Sequence, residues 1–434
     1  MIIGGKAGDG MKKGYFTAAC ALLAALTCLL AAPHLLRQGS STEAESAQHV
    51  LRVALWDYDT VQYDRRLIQA FEEQNPDIMV EVTSYSPTYY DFSLEALLDS
   101  DEQIDVVYAN QIPQLSSLYR KGCLMPLDDL IERDGVDLTC YSGLDRLRDP
   151  TTGQLMGLPY RQDKFLLYYN QDLFDQAGLP YPSDKPTWEE VCTLAQQLSA
   201  RLEGVYGIYL SALPEQLIPQ SMDEPFDYIA GDLAALSEGL ERYLLLSNAG
   251  AAPRFTDLDQ MDPAQRLFET GVYGMFLNGS WYLNFLSGDT EQGICAFRWG
   301  VAERPASSAG AAENPMMLTP VCIHSETTEL EAAWRFLRFV CGTQGAKILV
   351  EEMVLPAYHA ADIDAQLEAR ARNFGIDESL VLDGFDPPEV PPSTQEGEVR
   401  QAVYALYNRA LLGLDPPGDF AAAAAQAREN ILSP

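Results

Sequence analysis

Histidine is scarce in this chain and cations are outnumbered. Four histidines occur in 434 residues, at positions 34, 49, 324 and 359, too scattered for the ligand spacing of a metal site. Lysine and arginine total 29 against 63 aspartates and glutamates, a formal net charge of −34. Nucleic acid and anionic lipid are engaged through clustered Lys and Arg, so neither is expected as a partner. The acid excess serves solubility, and attraction of a cationic ligand is its sharper reading. Eight cysteines are present without any CxxC or Cys/His spacing. No internal repeat is evident, no set of side chains announces catalysis, and no cofactor is expected.

Apolar material, by contrast, is plentiful. Hydrophobic residues make up 47% and aromatic residues 10% of the chain, enough for a sizeable core. A chain of this length exceeds what one core holds, so two or three domains are expected. Lys12-Lys13 precede an apolar run from Tyr15 to Leu36, the charged and hydrophobic regions of an export signal. Residues 1–46 therefore read as a signal peptide or an N-terminal membrane anchor, the run being about 20 residues long and so able to span. Met11 opens a more ordinary signal than Met1, and Thr42-Glu43-Ala44 or Ala47 offers a cleavage site. Cys20 and Cys28 lie in that segment. Of the other six cysteines, Cys192, Cys322 and Cys341 sit in apolar runs as buried small hydrophobes. Cys123 and Cys140 share a loop-rich region and are the candidates for a disulfide.

Residues 153–198 carry the most informative pattern. An apolar piece ends at Leu158-Pro159-Tyr160, the polar cluster Arg161-Gln162-Asp163 follows, and a second extended run, Phe165 to Tyr169, stops at Asn170. Asp172-Leu173-Phe174 opens a short helix that Gly178 closes. Thr187 with Glu190 makes a capping box ahead of a longer helix. Upstream, Leu51 to Trp56, Ile78 to Val82 and Ile104 to Asn110 read as strands. A helix from Leu67 to Asn75 separates the first two, and the alternation is that of a parallel βαβ lobe.

The order of these pieces resembles family 1 extracellular solute-binding proteins, the receptor subunits of sugar-importing ABC transporters. FEEQNPDIMVEV (71–82) is similar to the family's first helix, its Asn-Pro stop and its second strand. IDVVYAN (104–110), LMPLDDLI (124–131), FETGVYGMFLNGSWYL (268–283), WGVAERP (299–305), EAAWRFLRFVCGTQGAKIL (331–349) and Leu355-Pro356 follow in the family's order. The resemblance spans about residues 50–357. One departure is the stretch Ala309 to Met317, which has one glycine where many sugar-binding relatives are glycine-rich. Relatives anchored as lipoproteins carry a cysteine after a Leu-small-small triplet, a pattern that neither Cys20 nor Cys28 matches.

The resemblance implies an α/β, two-lobed periplasmic-binding-protein-like (Venus flytrap) fold with a hinge and an interlobe ligand cleft. Residues 47–158 and 289–357 are assigned to lobe 1, and 159–288 and 358–434 to a mostly helical lobe 2. The crossings fall near 110–160, 285–295 and 355–365. The implied partners are a small-molecule ligand, a carbohydrate above all, and the permease subunits of an ABC importer, served by an exported, monomeric carrier.

Site residues follow from where strands end. Trp56-Asp57-Tyr58 follows the first strand, Tyr85 the second, and Asn110-Gln111 the third. Tyr160-Arg161-Gln162-Asp163 forms the crossover turn, and Trp281-Tyr282 begins a helix after Asn278-Gly279-Ser280. Trp281 resembles the family's sugar-stacking tryptophan. Aromatic rings suit the C–H face of a sugar, and Asp, Asn, Gln and Arg suit its hydroxyl rim. One ring hiding about 100 Å² contributes roughly 2–3 kcal/mol, whereas a micromolar complex needs about 8 kcal/mol, so two stacks with several hydrogen bonds are required. Trp188, Trp299 and Trp334 read as core, and Tyr168-Tyr169 as packing of the hinge. Three alternatives stand beside the sugar reading: a polyamine, organophosphate or peptide ligand on the same fold; presentation of ligand to a membrane sensor; and a secreted glycosidase using a carboxylate pair such as Asp57 and Asp163.

Overall fold

The computed structural model describes residues 49–98, 100, 102–110, 112–149, 151–211, 214–222, 226–257, 267–307, 316–383 and 395–433. The export segment, the 309–315 loop and Gln111 lie outside the described residues. Two sheets organise the rest. The first has the order β2-β1-β3-β9-β4, from β1 (His49–Trp56), β2 (Ile78–Tyr85), β3 (Val106–Tyr108), β4 (Leu158–Asp163) and β9 (Met317–Ile323). The second has the order β6-β7-β5-β8, from β5 (Phe165–Asn170), β6 (Tyr206–Tyr209), β7 (Tyr273–Gly279) and β8 (Trp299–Glu303).

In the first sheet β2 and β3 flank β1 in parallel, while β9 runs antiparallel between β3 and β4. The helix Gln62–Gln74 covers one side, burying Leu67, Ile68 and Phe71. Phe71 meets Phe336 and Phe339 edge-on, at ring separations of 5.1 and 5.6 Å. That helix starts five residues before the expected Leu67. Its first turn is polar, so the apolar stripe becomes visible only at Leu67, yet the Asp57 carbonyl already accepts from Thr60 and Val61 and sets the chain turning. Its end is as expected: the Asn75 side chain donates to the Phe71 carbonyl, and Pro76 cannot continue the ladder.

β5 shows why the second sheet is buried on both faces. Leu167 packs with Met275 and Leu277 on one side, while Leu166 and Tyr168 pack with Phe276 and Tyr282 on the other. A continuous apolar run is what a doubly covered strand requires. The helices Glu396–Leu411 and Phe420–Leu432 close the first of these cores through Val399, Val403, Tyr407 and Ala424.

Two assignments differ from the sequence reading. β8, expected in the first lobe, pairs with β5 from Leu166↔Glu303 to Asn170↔Trp299, because Ala302 and Trp299 fill the two faces of the second sheet. The chain thus returns to the first sheet between β8 and β9. β4 belongs to the first sheet through β9, so the crossing follows Asp163 rather than Leu158. Tyr273–Gly279, read only as part of a motif, is a strand.

Trp188, Trp299 and Trp334 are buried, as are Cys322 and Cys341, whereas Cys192 is half-buried. Cys140 keeps a free thiol, so the expected pairing with Cys123 is not formed. Cys123 is pinned beside Ser325 and Cys140 beside His359 by backbone hydrogen bonds, which hold the two on different segments. The capping box is half realised. Thr187 accepts from the Glu190 amide at 3.2 Å, but the Glu190 carboxylate reaches back to Ser183 instead.

Candidate functional site

β4 brings the site together. All six of its residues are buried, including Arg161, Gln162 and Asp163. Its pairing with β9 slips between Pro159 and Arg161, a bulge at Tyr160, and bulges re-aim side chains. The Tyr160 hydroxyl donates to Oδ1 of Asp64 at 2.6 Å. Arg161 donates through Nη1 to the Tyr63 hydroxyl at 2.8 Å, and its Nε lies 3.4 Å from Oδ2 of Asp163. Asp163 also accepts from Ser280 at 2.8 Å, and Ser280 in turn stands one residue before Trp281. The Arg161 guanidinium sits 5.7 Å from the centre of the Trp56 ring, a cation–π distance. Trp56, Arg161, Asp163 and Trp281 are therefore linked through one unbroken chain of contacts.

A narrow recess of about 10 Å³ opens beside β4, lined by Leu55, Trp56, Tyr63, Asp64, Tyr108, Tyr160 and Arg161. That is room for roughly one water-sized group, such as a single hydroxyl at the edge of a larger cleft, and far below a whole ligand pocket. Burial pushes the Asp64 carboxyl up to about 6, against the opposing pull of the Tyr160 hydroxyl and Arg161. Burial also raises Asp163, opposed by Arg161, Ser280 and the Trp281 amide. For Arg161, burial works against the charge, but Tyr63, Asp163, Tyr160 and Asp64 outweigh it and the net shift is upward. The guanidinium stays charged.

The remaining expected residues divide. Asp57 and Tyr58 sit at the rim beside β2: the Asp57 amide donates to the Tyr85 carbonyl at 3.1 Å, and the Tyr58 amide to Ser84 at 3.2 Å. Asp57 adopts a left-handed backbone, φ 58°, a conformation of low population for a non-glycine residue that recurs at functional sites. Tyr85 is half-buried, 6.3 Å from the Tyr90 ring. Asn110 is half-buried, with its amide donating to Gln114. Trp281 is half-buried against Phe165, with ring centres 5.9 Å apart, and it lies flat on Gly279. A methyl on Gly279 would stand 2.0 Å from the indole, so only glycine admits the ring there. Tyr282 does not join the cleft. It is fully buried among Tyr168 and Phe276, and its hydroxyl donates to Glu269, because the helix Tyr282–Glu291 turns that position inward.

Sequence reasoning missed Tyr63 and Asp64. The signal was available: Asp64, Leu67, Ile68 and Phe71 share one helical face, so a carboxylate stood at the head of an apolar stripe. Among the described residues no group of metal-ligating side chains occurs, and no helix is long and apolar enough to cross a membrane.

Comparison with known proteins agrees in order and extent. The profile of the family described as bacterial extracellular solute-binding protein matches residues 59–347. A binding protein of Brucella abortus (strain 2308) is 24% identical over 329 residues, 72% of this chain and 76% of its own length. A mannitol-binding protein of Pseudomonas aeruginosa is 30% identical over a shorter stretch, 34% of this chain and 33% of its own. Among solved structures, maltose-bound T. maritima MalE3 superposes with a TM-score of 0.74 at 18% identity, covering 88% of this chain and all (100%) of that one.

Proposed function

The chain belongs to the bacterial extracellular solute-binding proteins, and from that premise we propose that it captures a sugar or polyol between its two lobes and delivers it to an ABC importer permease. The carrying observation is the sealed polar strand at the lobe junction. Arg161, Gln162 and Asp163 are each at most 7% exposed, and half-buried tryptophans stand at both ends of their contact chain. Buried polar side chains are costly unless they are bonded, and an array with aromatic flanks is the complement of a ligand that alternates C–H faces with hydroxyls.

The charge balance favours a neutral ligand over an organophosphate. Arg161 is the cation of the recess, and Asp163 already pairs with it. A phosphate would meet Asp57, Asp64 and Asp163 close by. A polyamine is disfavoured by the same guanidinium. Nor does the arrangement favour a glycosidase: both oxygens of Asp163 are engaged, one by Ser280 and one by Arg161, so Asp163 is tied up in the fold rather than poised as one member of a catalytic carboxylate pair. The relatives named for mannitol and bound to maltose support the carbohydrate reading.

In this reading the ligand site comprises Trp56, Asp57, Tyr58, Tyr85, Asn110, Gln111, Tyr160, Arg161, Asp163 and Trp281. Hinge bending at the chain crossings closes the lobes on the ligand. The carrier acts outside the cytoplasmic membrane, as a monomer, and needs no covalent chemistry. The test is a titration of sugars and polyols followed by tryptophan fluorescence, repeated with Trp281→Ala. Saturable micromolar binding, weakened about 30-fold or 2 kcal/mol by the substitution, is the expected result. Silence across neutral ligands, with a response to an amine or peptide, would overturn it.

A further inference from the structure

Asp64 holds one of its carboxylate oxygens in reserve. It is 6% exposed, and Oδ1 accepts from Tyr160, but no hydrogen bond among the described residues reaches Oδ2. Arg161 attracts Asp64 across the recess, yet its own contacts go to Tyr63, Thr319 and Asp163, and no ion pair joins the two. An acceptor and a donor thus border one small recess without satisfying each other. Oδ2 instead opens on the recess, where a ligand hydroxyl would take the place of water as its donor. Trp56 and Tyr108 supply ring surface on the same walls.

We propose that Asp64 is a specificity-determining residue of the cleft, its open oxygen accepting a hydroxyl of a neutral sugar or polyol whose adjacent hydroxyl accepts from Arg161. The inference rests on the sugar or polyol reading of the same site. A vicinal diol matches both groups at once. A phosphate matches Arg161 but confronts Asp64, so one carboxylate both admits the first and turns away the second.

The carboxylate must be ionised to accept fully. Its electrostatic neighbours are Tyr160 and Arg161 on β4, Asp57 before the helix, and Arg65 on it. Tyr58, Tyr63 and Tyr108 also face it. Burial, the largest influence, sets its titration near 6. Affinity for the neutral ligand therefore falls as pH drops through that value.

The experiment is calorimetric titration of the full chain with neutral mono- and disaccharides and polyols, D-mannitol and maltose included, and with sn-glycerol 3-phosphate, between pH 7.5 and 5. For wild type, about tenfold weaker binding of the neutral ligand at pH 5 is expected, with phosphate excluded throughout. Asp64→Asn should lose 30-fold or more in affinity and bind independently of pH. Tyr160→Phe removes the bond that holds the carboxyl down, so its pH midpoint should move upward. Near-UV circular dichroism establishes that each variant is folded. Neutral-ligand binding that Asp64→Asn leaves within twofold and equally pH-dependent would overturn the role of Asp64 and leave the sugar reading standing. Tight phosphate binding by wild type would overturn the selectivity. Absence of neutral-ligand binding in wild type would overturn both.

Discussion

Phe71 and Arg161 are both nearly sealed from water, at 0% and 7% exposure, and their surroundings could hardly differ more. Phe71 packs against the rings of Phe336 and Phe339, on the helix face that also buries Leu67 and Ile68. Arg161 meets two hydroxyls, a carboxylate and the face of a tryptophan. Burial at Phe71 stabilises the fold by roughly 25 cal/mol per Å² of apolar surface removed from water. At Arg161 the same loss of water is a cost that the partners offset at best. One region holds the lobe together; the other holds a geometry.

Removing the ring should therefore affect stability alone. Phe71→Ala is expected to lose about 3–5 kcal/mol by denaturant unfolding while the folded fraction keeps its ligand affinity. A large affinity change would break the separation. Arg161→Met should lose about 3 kcal/mol, because it strands Asp163 in a dry site, and should lose binding as well. Adding Asp163→Asn should recover at least half of the stability and none of the binding.

Asp64 sharpens the contrast, since there function and stability are opposed. A carboxyl raised from 3.8 to about 6 favours the folded state fully below the lower value, and that contribution is lost as pH rises through the upper one. At pH 7.5, Asp64→Asn should be about 2 kcal/mol more stable than wild type, the shift being about two units at 1.36 kcal/mol each with some loss for the buried amide. The advantage should disappear toward pH 4, as thermal melts across pH will show. The smallest effect belongs to a site remote from both regions. Thr187→Ala removes the cap on the helix Trp188–Arg201 and should cost about 1 kcal/mol, with ligand titrations unchanged.

Local pattern made much of this legible. Strands β1 to β3, the Asn75-Pro76 stop and the short extended runs on either side of the crossing all follow from runs, caps and breakers that act within a few residues. Residues 161–163, read as a turn, instead continue strand β4, whose partner β9 lies more than 150 residues away in the chain. β8 and the disulfide went astray because they depend on partners far away in sequence. Nothing near Trp299 says that it will lie beside Asn170, and nothing near Cys140 says that His359 will hold it. In the site, residues at strand ends were findable because strand ends converge. Tyr282 was not separable from Trp281, since one step along a helix turns the side chain by 100° and only packing decides which of the two faces inward. Asp64 is legible in the same way as those strand ends, as one carboxylate heading an apolar helical stripe.

The position of β9 has a consequence in time. Tyr108 is paired with Val321, 213 residues further along (321 minus 108), and β4 joins the first sheet only through β9. At 5–20 residues per second, a ribosome needs roughly 10–40 s to bridge that interval. Until then the first lobe has a gap in its middle and an unattached outer strand. Three-quarters of the chain is therefore made before its first sheet can be completed, so tight folding of the first lobe waits on the arrival of β9.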